Sequence, residues 1–256
     1  MGRAEIERIA MFEIRFEQAQ ATDVVDLPWG FALLQANFPL SHWHNRIVVT
    51  SDVPAAEVLA AADAVLGGAC LQHRYLTVVN DDLGQALSAD FAAAGYRHET
   101  IATMVYAGPK QVAVELDVRA VSFEELRPAL VRDWQLMLPD VTDEQVSQLA
   151  DRTTLYGRGA EVRLLTVWAG DEIAARAELY VDRVGRIAQF ENLFTHPDFR
   201  CRGYGAALVR DALRRTGEAG VDLSFLTAAV DDWPYNWYRR VGYVDAGPTH
   251  HFNRGE

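Results

Sequence analysis

Between Phe31 and Tyr106, short apolar runs alternate with longer alanine-rich stretches in which apolar residues recur every three or four positions. The runs FALLQA, RIVVTS, RYLTVV and IATMVY have the length and β-branched content of strands, and PAAEVLAAADAVL and LGQALSADFAAAG have the period of helices. A Gly-Pro break in AGPKQV, residues 107–112, interrupts this α/β pattern, and the strand-like AVELDVRAVSF beyond it opens a second unit. The expected domains are residues 1–108 and 113–256.

In the second unit the periodicity predicts helices over FEELRPALVRDWQLM and TDEQVSQLADRTTL, then strands at VRLLTVWAG, EIAARAELYVD and RIAQFENLFT. The links AGDEI and DRVGR are short enough for hairpins, so three antiparallel strands lead into the stretch FENLFTHPDFRCRGYGAALVRDAL. A helix is expected from about Gly203, with Ala207, Leu208, Ala212 and Leu213 on its apolar face. Arg210, Asp211, Arg214 and Arg215 should lie on its polar face. Gly220 ends it, VDLSFLTAA is the next strand, WPYNWYRRVG is a short helix with Pro234 in its first turn, and YVDAGPTHHF closes the chain.

The turn before that helix carries the first candidate chemistry. Small residues let successive backbone N–H groups converge, and a helix start adds unpaired donors and the positive end of its dipole, so the place suits a phosphate. Arg200 and Arg202 add positive charge. No Lys-Ser/Thr follows the glycines, which excludes a Walker loop, and Leu208 stands where a dinucleotide fingerprint needs its third glycine. A glycine-rich helix start with no ligand remains the alternative on these residues alone.

ENLFTHPDFRCRGYGAALV followed by WYRRVGY resembles, in order and spacing, the signature of the GNAT superfamily of acyl-coenzyme A-dependent N-acyltransferases. That signature is a strand, Arg/Gln-x-x-Gly-x-Gly/Ala, a helix, a further strand and a Tyr-x-x-x-Gly-Phe/Tyr segment. Trp237 stands where Leu or Phe is usual. The resemblance spans about residues 113–251 and implies an α/β (α+β) fold of two GNAT-like domains, each a mixed, mostly antiparallel twisted sheet flanked by helices. The first half echoes the second, with FAAAGY (residues 91–96) against YRRVGY (residues 238–243) and NDD (residues 80–82) against VDD (residues 230–232). It has Phe91 where the second copy has Tyr238, and SDVPAAEV in place of the glycine turn, as expected of a degenerate copy.

Carried over by position, the resemblance implies acetyl-coenzyme A as co-substrate. The backbone of Leu193, Phe194 and Thr195 would meet the pantetheine arm, and Arg200, Cys201, Arg202, Gly203, Tyr204, Gly205 and Ala206 would hold the pyrophosphate. Asp231 stands where many members have a coenzyme-binding Asn, a departure that puts this contact in question.

Acyl transfer needs an unprotonated amine, and neutralising a lysine-like amine at pH 7 costs about 4–5 kcal/mol, so a base is required. Glu191 occupies the position of the glutamate base in polyamine-acetylating members; a solvated strand glutamate is its plain alternative. Tyr238 is the candidate acid for the departing thiolate, as the family commonly places this tyrosine beside the sulfur. The reading is an acetyltransferase acting by direct transfer on a primary amine of a small molecule. A non-enzymatic acyl-coenzyme A sensor is the alternative.

Composition narrows the rest. A formal charge of −12 argues against a nucleic-acid partner and suits cationic substrates. Cys70 and Cys201 are far apart, and His250-His251 point to opposite faces of a strand while His42-x-His44 lacks partners, so no metal is expected. His196 belongs to an HPD turn, and Trp233, Tyr235 and Trp237 are expected as core and pocket wall. No apolar run reaches bilayer length, and the amino-terminal stretch lacks the apolar core of a signal peptide, so no membrane is expected and the location is cytoplasmic. A monomer or a homodimer is anticipated.

Overall fold

The computed structural model describes residues 2–109 and 116–255. Residues 110–115, which include most of the anticipated domain break and the start of the strand-like run after it, lie outside the described residues. In chain order the elements are α1 (Arg3–Gln20), β1 (Asp23–Leu27), β2 (Gly30–Leu34), β3 (Arg46–Val49), α2 (Ala55–Gly68), β4 (Arg74–Val78), α3 (Asp81–Ala93) and β5 (Arg97–Tyr106). There follow β6 (Arg119–Val121), α4 (Phe123–Met137), α5 (Asp143–Asp151), β7 (Glu161–Ala169), β8 (Glu172–Asp182), β9 (Ile187–Thr195), α6 (Tyr204–Glu218), β10 (Leu223–Ala229), α7 (Trp233–Val241) and β11 (Tyr243–Arg254).

Each run singled out by its period is present as the expected type, except that of AVELDVRAVSF only Arg119–Val121 is strand, Phe123 already opening α4 and residues 113–115 lying outside the described residues. Two elements carried no such reading, α1 and β1. Within α1, Ile9, Phe12 and Phe16 are buried at helical spacing beneath a surface of alternating charge. The predicted helix to Leu155 stops as an α-helix at Asp151 and tightens into a 3-10 turn, Arg152–Arg158.

The chain forms two compact units that interleave in sequence. The first comprises residues 1–16, 105–227 and 241–244; the second comprises residues 17–104, 228–240 and 245–256.

In the first unit the strand order is β6-β7-β8-β9-β10. Pairing is antiparallel from β6 to β9, while β10 runs parallel to β9 because α6 carries the chain back across the sheet. α6 buries Ala207, Leu208, Val209, Ala212 and Leu213. Asp211, expected on its polar face, is buried too. It is reached there by the guanidinium groups of Arg214 and Arg215, which neutralise it, and Arg215 continues to the Val118 carbonyl.

α4 and α5 both begin with reciprocal capping boxes, Ser122 with Glu125 and Thr142 with Gln145, which satisfy amides that the first helical turn leaves free. Arg127 joins the two helices through Asp151 (2.6 Å), and Leu126, Leu130, Ala150, Leu164 and Ile173 form their common core. Deeper in, Asp133 of α4, 1% exposed, accepts from Arg176 Nε of β8 (2.8 Å) and from Arg132 Nε (2.9 Å).

The second unit has the order β1-β2-β3-β4-β11-β5; β1 to β3 pair antiparallel, as do β4 and β11, and α2 connects the parallel pair β3 and β4. Its core gathers Ile47, Val49, Val58, Leu66, Leu76, Val78, Phe91 and Phe252. Among the described residues no helix is long and apolar enough to cross a membrane.

Breaking a buried ion pair from one side leaves the other charge without compensation. Asp133→Ala is expected to cost about 3–5 kcal/mol of stability in urea unfolding, with Asp133→Asn costing less because Arg176 keeps an acceptor.

Candidate active site

β9 carries one residue more than the β8 segment it faces. Glu191 pairs with Glu178 and Phe194 with Arg176, so Asn192 and Leu193 together oppose the single residue Ala177. Asn192 takes up the surplus in the left-handed region (φ 55°), which an asparagine tolerates better than most residues. The bulge turns its carbonyl to Arg176 Nη1 (3.2 Å) and its side-chain amide to Glu178 Oε2 (2.8 Å) and the Tyr180 hydroxyl (3.3 Å). Arg176 therefore ties α4, through Asp133, to the backbone of the bulge.

On the other side β9 parts from β10. Their parallel pairing covers Ile187–Gln189 against Leu223–Phe225. Past that point the Glu191 side chain takes the role of a neighbouring strand: its Oε1 accepts from the Thr227 amide (3.0 Å), the Thr227 hydroxyl (2.8 Å) and Gln189 Nε2 (2.9 Å). All three bonds fall on one oxygen, and Oε2 takes none of them. Leu193, Phe194 and Thr195 lie beyond the parting, half-buried, with Phe194 and Thr195 paired to β8.

The electrostatics follow from burial and from two facing carboxylates. Burial raises the Glu191 carboxyl to about 7, against the pull of the Thr227 and Gln189 donors, and the negative charge of Glu178 adds to the rise. Burial also pushes Glu178 up, opposed by hydrogen bonds from Tyr180 and Asn192 and by the charge of Arg176. The Tyr180 phenol, driven well above its usual range by burial and then by Glu178, donates to Glu178, and burial raises Tyr156 to about 12. Phe16 closes over both phenols, with ring centroids 4.7 Å from Tyr180 and 6.0 Å from Tyr156. The result is a half-buried base with a pKa near neutrality, lined by neutral phenols and aromatic carbon.

The glycine turn follows β9. His196 Nδ1 accepts from the Asp198 amide in a 3-10 turn, Pro197–Phe199, a structural part for the HPD segment. Arg200 donates to the Thr195 carbonyl (3.2 Å) and Arg202 to the Asp198 carbonyl (3.1 Å), which fixes both guanidinium stems on the loop while leaving the side chains exposed. Cys201 (φ 61°) and Gly203 (φ 80°, the residue before α6) are both left-handed. No side chain caps α6, and its first intrahelical bond is Ala207 N to Gly203 O, so the amides of Tyr204, Gly205 and Ala206 precede the helical ladder. An uncapped helix start between two fixed arginines fits a pyrophosphate.

Thus Glu191, residues 193–195 and residues 200–206 all belong to the first unit, on one continuous strand-turn-helix. Tyr238 and Asp231 belong to the second. Tyr238 is buried on α7 against the Trp237 ring (5.0 Å), Asp231 is exposed, and its neighbour Asp232 accepts the Trp233 amide at the start of α7. Trp233, expected in the core, is 70% exposed, since it occupies the first position of α7 on the side away from Tyr238. Among the described residues no group of three or more His, Cys, Asp or Glu is placed to hold a metal ion.

Glu178, Tyr180, Asn192, Arg176, Asp133, Tyr156 and Thr227 had not been singled out. A signal was present for some: Arg176 and Glu178 are charges inside an otherwise apolar strand, and Asn192 is a poor strand former.

Residues 123–243 match the Acetyltransferase (GNAT) family, so this segment is a GNAT-type domain. The matched segment is of the GNAT acyltransferase type (EC 2.3.1.-). Among solved structures, a functionally unknown conserved protein from Staphylococcus epidermidis shares the fold at a TM-score of 0.73 and 12% identity, covering 92% of this chain and 94% of that one. A GCN5-related N-acetyltransferase from Kribbella flavida aligns at a TM-score of 0.65 and 18% identity over 99% and 96% of the two chains. A tandem GNAT protein from the clavulanic acid biosynthesis pathway aligns at 0.54 and 16% over 89% and 79%. No curated protein matches the chain.

Two stability measurements test this geometry. Gly203→Ala places a Cβ on a left-handed residue with open space around it, so the cost should be the backbone term alone, about 1 kcal/mol in chemical denaturation. Glu191, whose folded pKa lies above its unfolded value, contributes stability at low pH that is lost as pH rises through about 7. The melting temperature of the native protein should therefore fall relative to Glu191→Gln as pH is raised from about 4.5 to about 7, and level off above it.

Proposed function

We propose that the protein transfers an acetyl group from acetyl-coenzyme A to a primary amine of a small molecule, with Glu191 as general base and Tyr238 as general acid. The observation that carries the reading is the Glu191 carboxyl, half-buried where β9 and β10 part and held near pH 7 by its surroundings. A base with that pKa is about half ionised at neutral pH, so it can both take a proton from an ammonium group and give it up again.

Residues 200–206 would hold the pyrophosphate, through the free amides at the start of α6 and the two arginines, and the unpaired backbone edge of residues 193–195 would receive the pantetheine arm. When bound, the thioester supplies an electrophilic carbonyl carbon. Glu191 removes the proton from the acceptor ammonium at Oε2, directly or through a water. The amine nitrogen then bonds to the carbonyl carbon, the carbon–sulfur bond breaks and Tyr238 delivers its phenolic proton to the sulfur, while the second proton of the nitrogen, released as the neutral amide forms, restores the phenol through water. Glu178 and Glu191, opposite each other, favour a cationic acceptor over an anionic one, in keeping with the acidic balance of the chain. The assignment of Tyr238 rests on its phenol and on its place in the matched motif. A cytoplasmic monomer or homodimer without a nucleic-acid partner is the setting we propose.

The turnover number with a polyamine acceptor should rise with pH along a limb centred near 7 and then level off. Glu191→Gln should lower it about 100-fold or more and abolish that limb, and Tyr238→Phe should lower it about tenfold with little change in coenzyme affinity. An unchanged limb in Glu191→Gln would remove the glutamate from the mechanism.

A further inference from the structure

The second unit contains a cavity of about 420 Å³, within the range of small-molecule sites, whose wall includes Asp81, His98, His250, Tyr235 and Asp245. All of these residues belong to that unit, and none of them has a part in the acyl-transfer reading, although Tyr235 shares α7 with Tyr238.

Three of the wall residues form a chain. Asp81 Oδ1 lies 2.9 Å from His250 Nε2, and His250 Nδ1 lies 2.8 Å from His98 Nε2. The His250 ring is buried and fits over Gly84, where a Cβ would come within 2.3 Å of the ring. The His98 ring stacks on Phe252 with a centroid separation of 4.4 Å and an interplanar angle of 12°. The rings are thus held in place from below and from the side.

With both imidazoles neutral, this order fixes which nitrogens carry protons. The Asp81 carboxylate can only accept, so neutral His250 donates from Nε2 and has a lone pair on Nδ1. His98 must then donate from Nε2, and its own lone pair remains on Nδ1. Across the cavity, Asp245 Oδ2 accepts from the Tyr235 hydroxyl (2.6 Å), and Gln85 Nε2 donates to Asp81 Oδ1 (2.7 Å). The donors of His250, Tyr235 and Gln85 go to the wall's own carboxylates, and that of His98 goes to His250. What remains for a ligand is a set of acceptors: His98 Nδ1 and the second oxygens of Asp81 and Asp245. No lysine or arginine belongs to the wall; Arg239 lies over the Tyr235 ring, 5.8 Å from its centroid.

We infer that this cavity binds a small organic cation rich in N–H donors, of the guanidinium or alkylammonium class. Such a group satisfies several acceptors at once and meets two carboxylates in a partly enclosed place, where charge-assisted bonds are strongest.

The test is a titration of the full chain with n-butylguanidinium, followed by the imidazole proton resonances of His98 and His250, which report this wall and no part of the first unit. Saturable shifts with n-butylguanidinium are expected, with none from n-butylurea, its uncharged counterpart of the same shape. Asp245→Asn should weaken binding about tenfold, the loss of one charge-assisted bond. Asp245 is exposed, so the fold should survive this change, and unchanged chemical shifts elsewhere would verify it. Absence of shifts up to about 10 mM, the weakest affinity of interest, would overturn the inference. Equal shifts from n-butylurea, or undiminished binding by Asp245→Asn, would overturn it as well.

Discussion

The first unit is organised around a mismatch of one residue between β9 and β8. Because Asn192 and Leu193 share a single opposite position, the backbone of β9 bends, and that bend has three consequences. The Asn192 carbonyl turns out of the ladder and is taken by Arg176, which is itself held by Asp133 of α4. The Asn192 side chain joins the carboxylate and phenol of β8. β9 also leaves β10, so Glu191 spans the widening gap to Thr227 and the edge of residues 193–195 is available to a ligand. Fold and site are connected here by a buried ion pair whose contribution is placement more than net stability.

That placement explains how two carboxylates can face each other in a poorly hydrated setting. Each is raised by burial and each is given donors, but the donors differ. Glu178 is surrounded by a tyrosine, an asparagine amide and the nearby Arg176 charge, which favour its ionised form. Glu191 receives donors on one oxygen and feels the charge of Glu178, which disfavours ionisation. Neighbouring acids with unlike surroundings can serve unlike ends, one as a fixed charge and one as a group that exchanges protons near neutrality.

Much of this was legible in the sequence where local chemistry determines structure. The periods of FEELRPALVRDWQLM and TDEQVSQLADRTTL, the glycine at position 203 and the spacing of Ala207, Leu208 and Leu213 each act within a few turns of themselves, and the elements they predict are present. The bulge was not legible, because it arises from the register between two strands, and register appears only once both are aligned. Asn192 inside FENLFT and the charges inside EIAARAELYVD were its faint marks. Burial of Asp211 was missed for a related reason: a periodic pattern assigns a carboxylate to solvent unless the arginines that neutralise it are counted as part of its environment. α1 escaped notice because charges alternate along its exposed face and obscure the spacing of Ile9, Phe12 and Phe16. The interleaving of the two units has no local signature, since it depends on which distant segments pack together.

The three hydrogen bonds on Glu191 Oε1 bear on what happens when the carboxyl changes its state of protonation. A proton arriving at Oε2 leaves Oε1 as a carbonyl oxygen, which still accepts from Thr227 and Gln189, so neither donor has to rotate or find a new partner. In the role proposed for it, the group would cycle between acid and base with its heavy atoms in place, and the surrounding dipoles would not reorganise at each turn. Of the two oxygens, one is an anchor and the other a port, and the direction from which a proton enters or leaves is set before any substrate arrives.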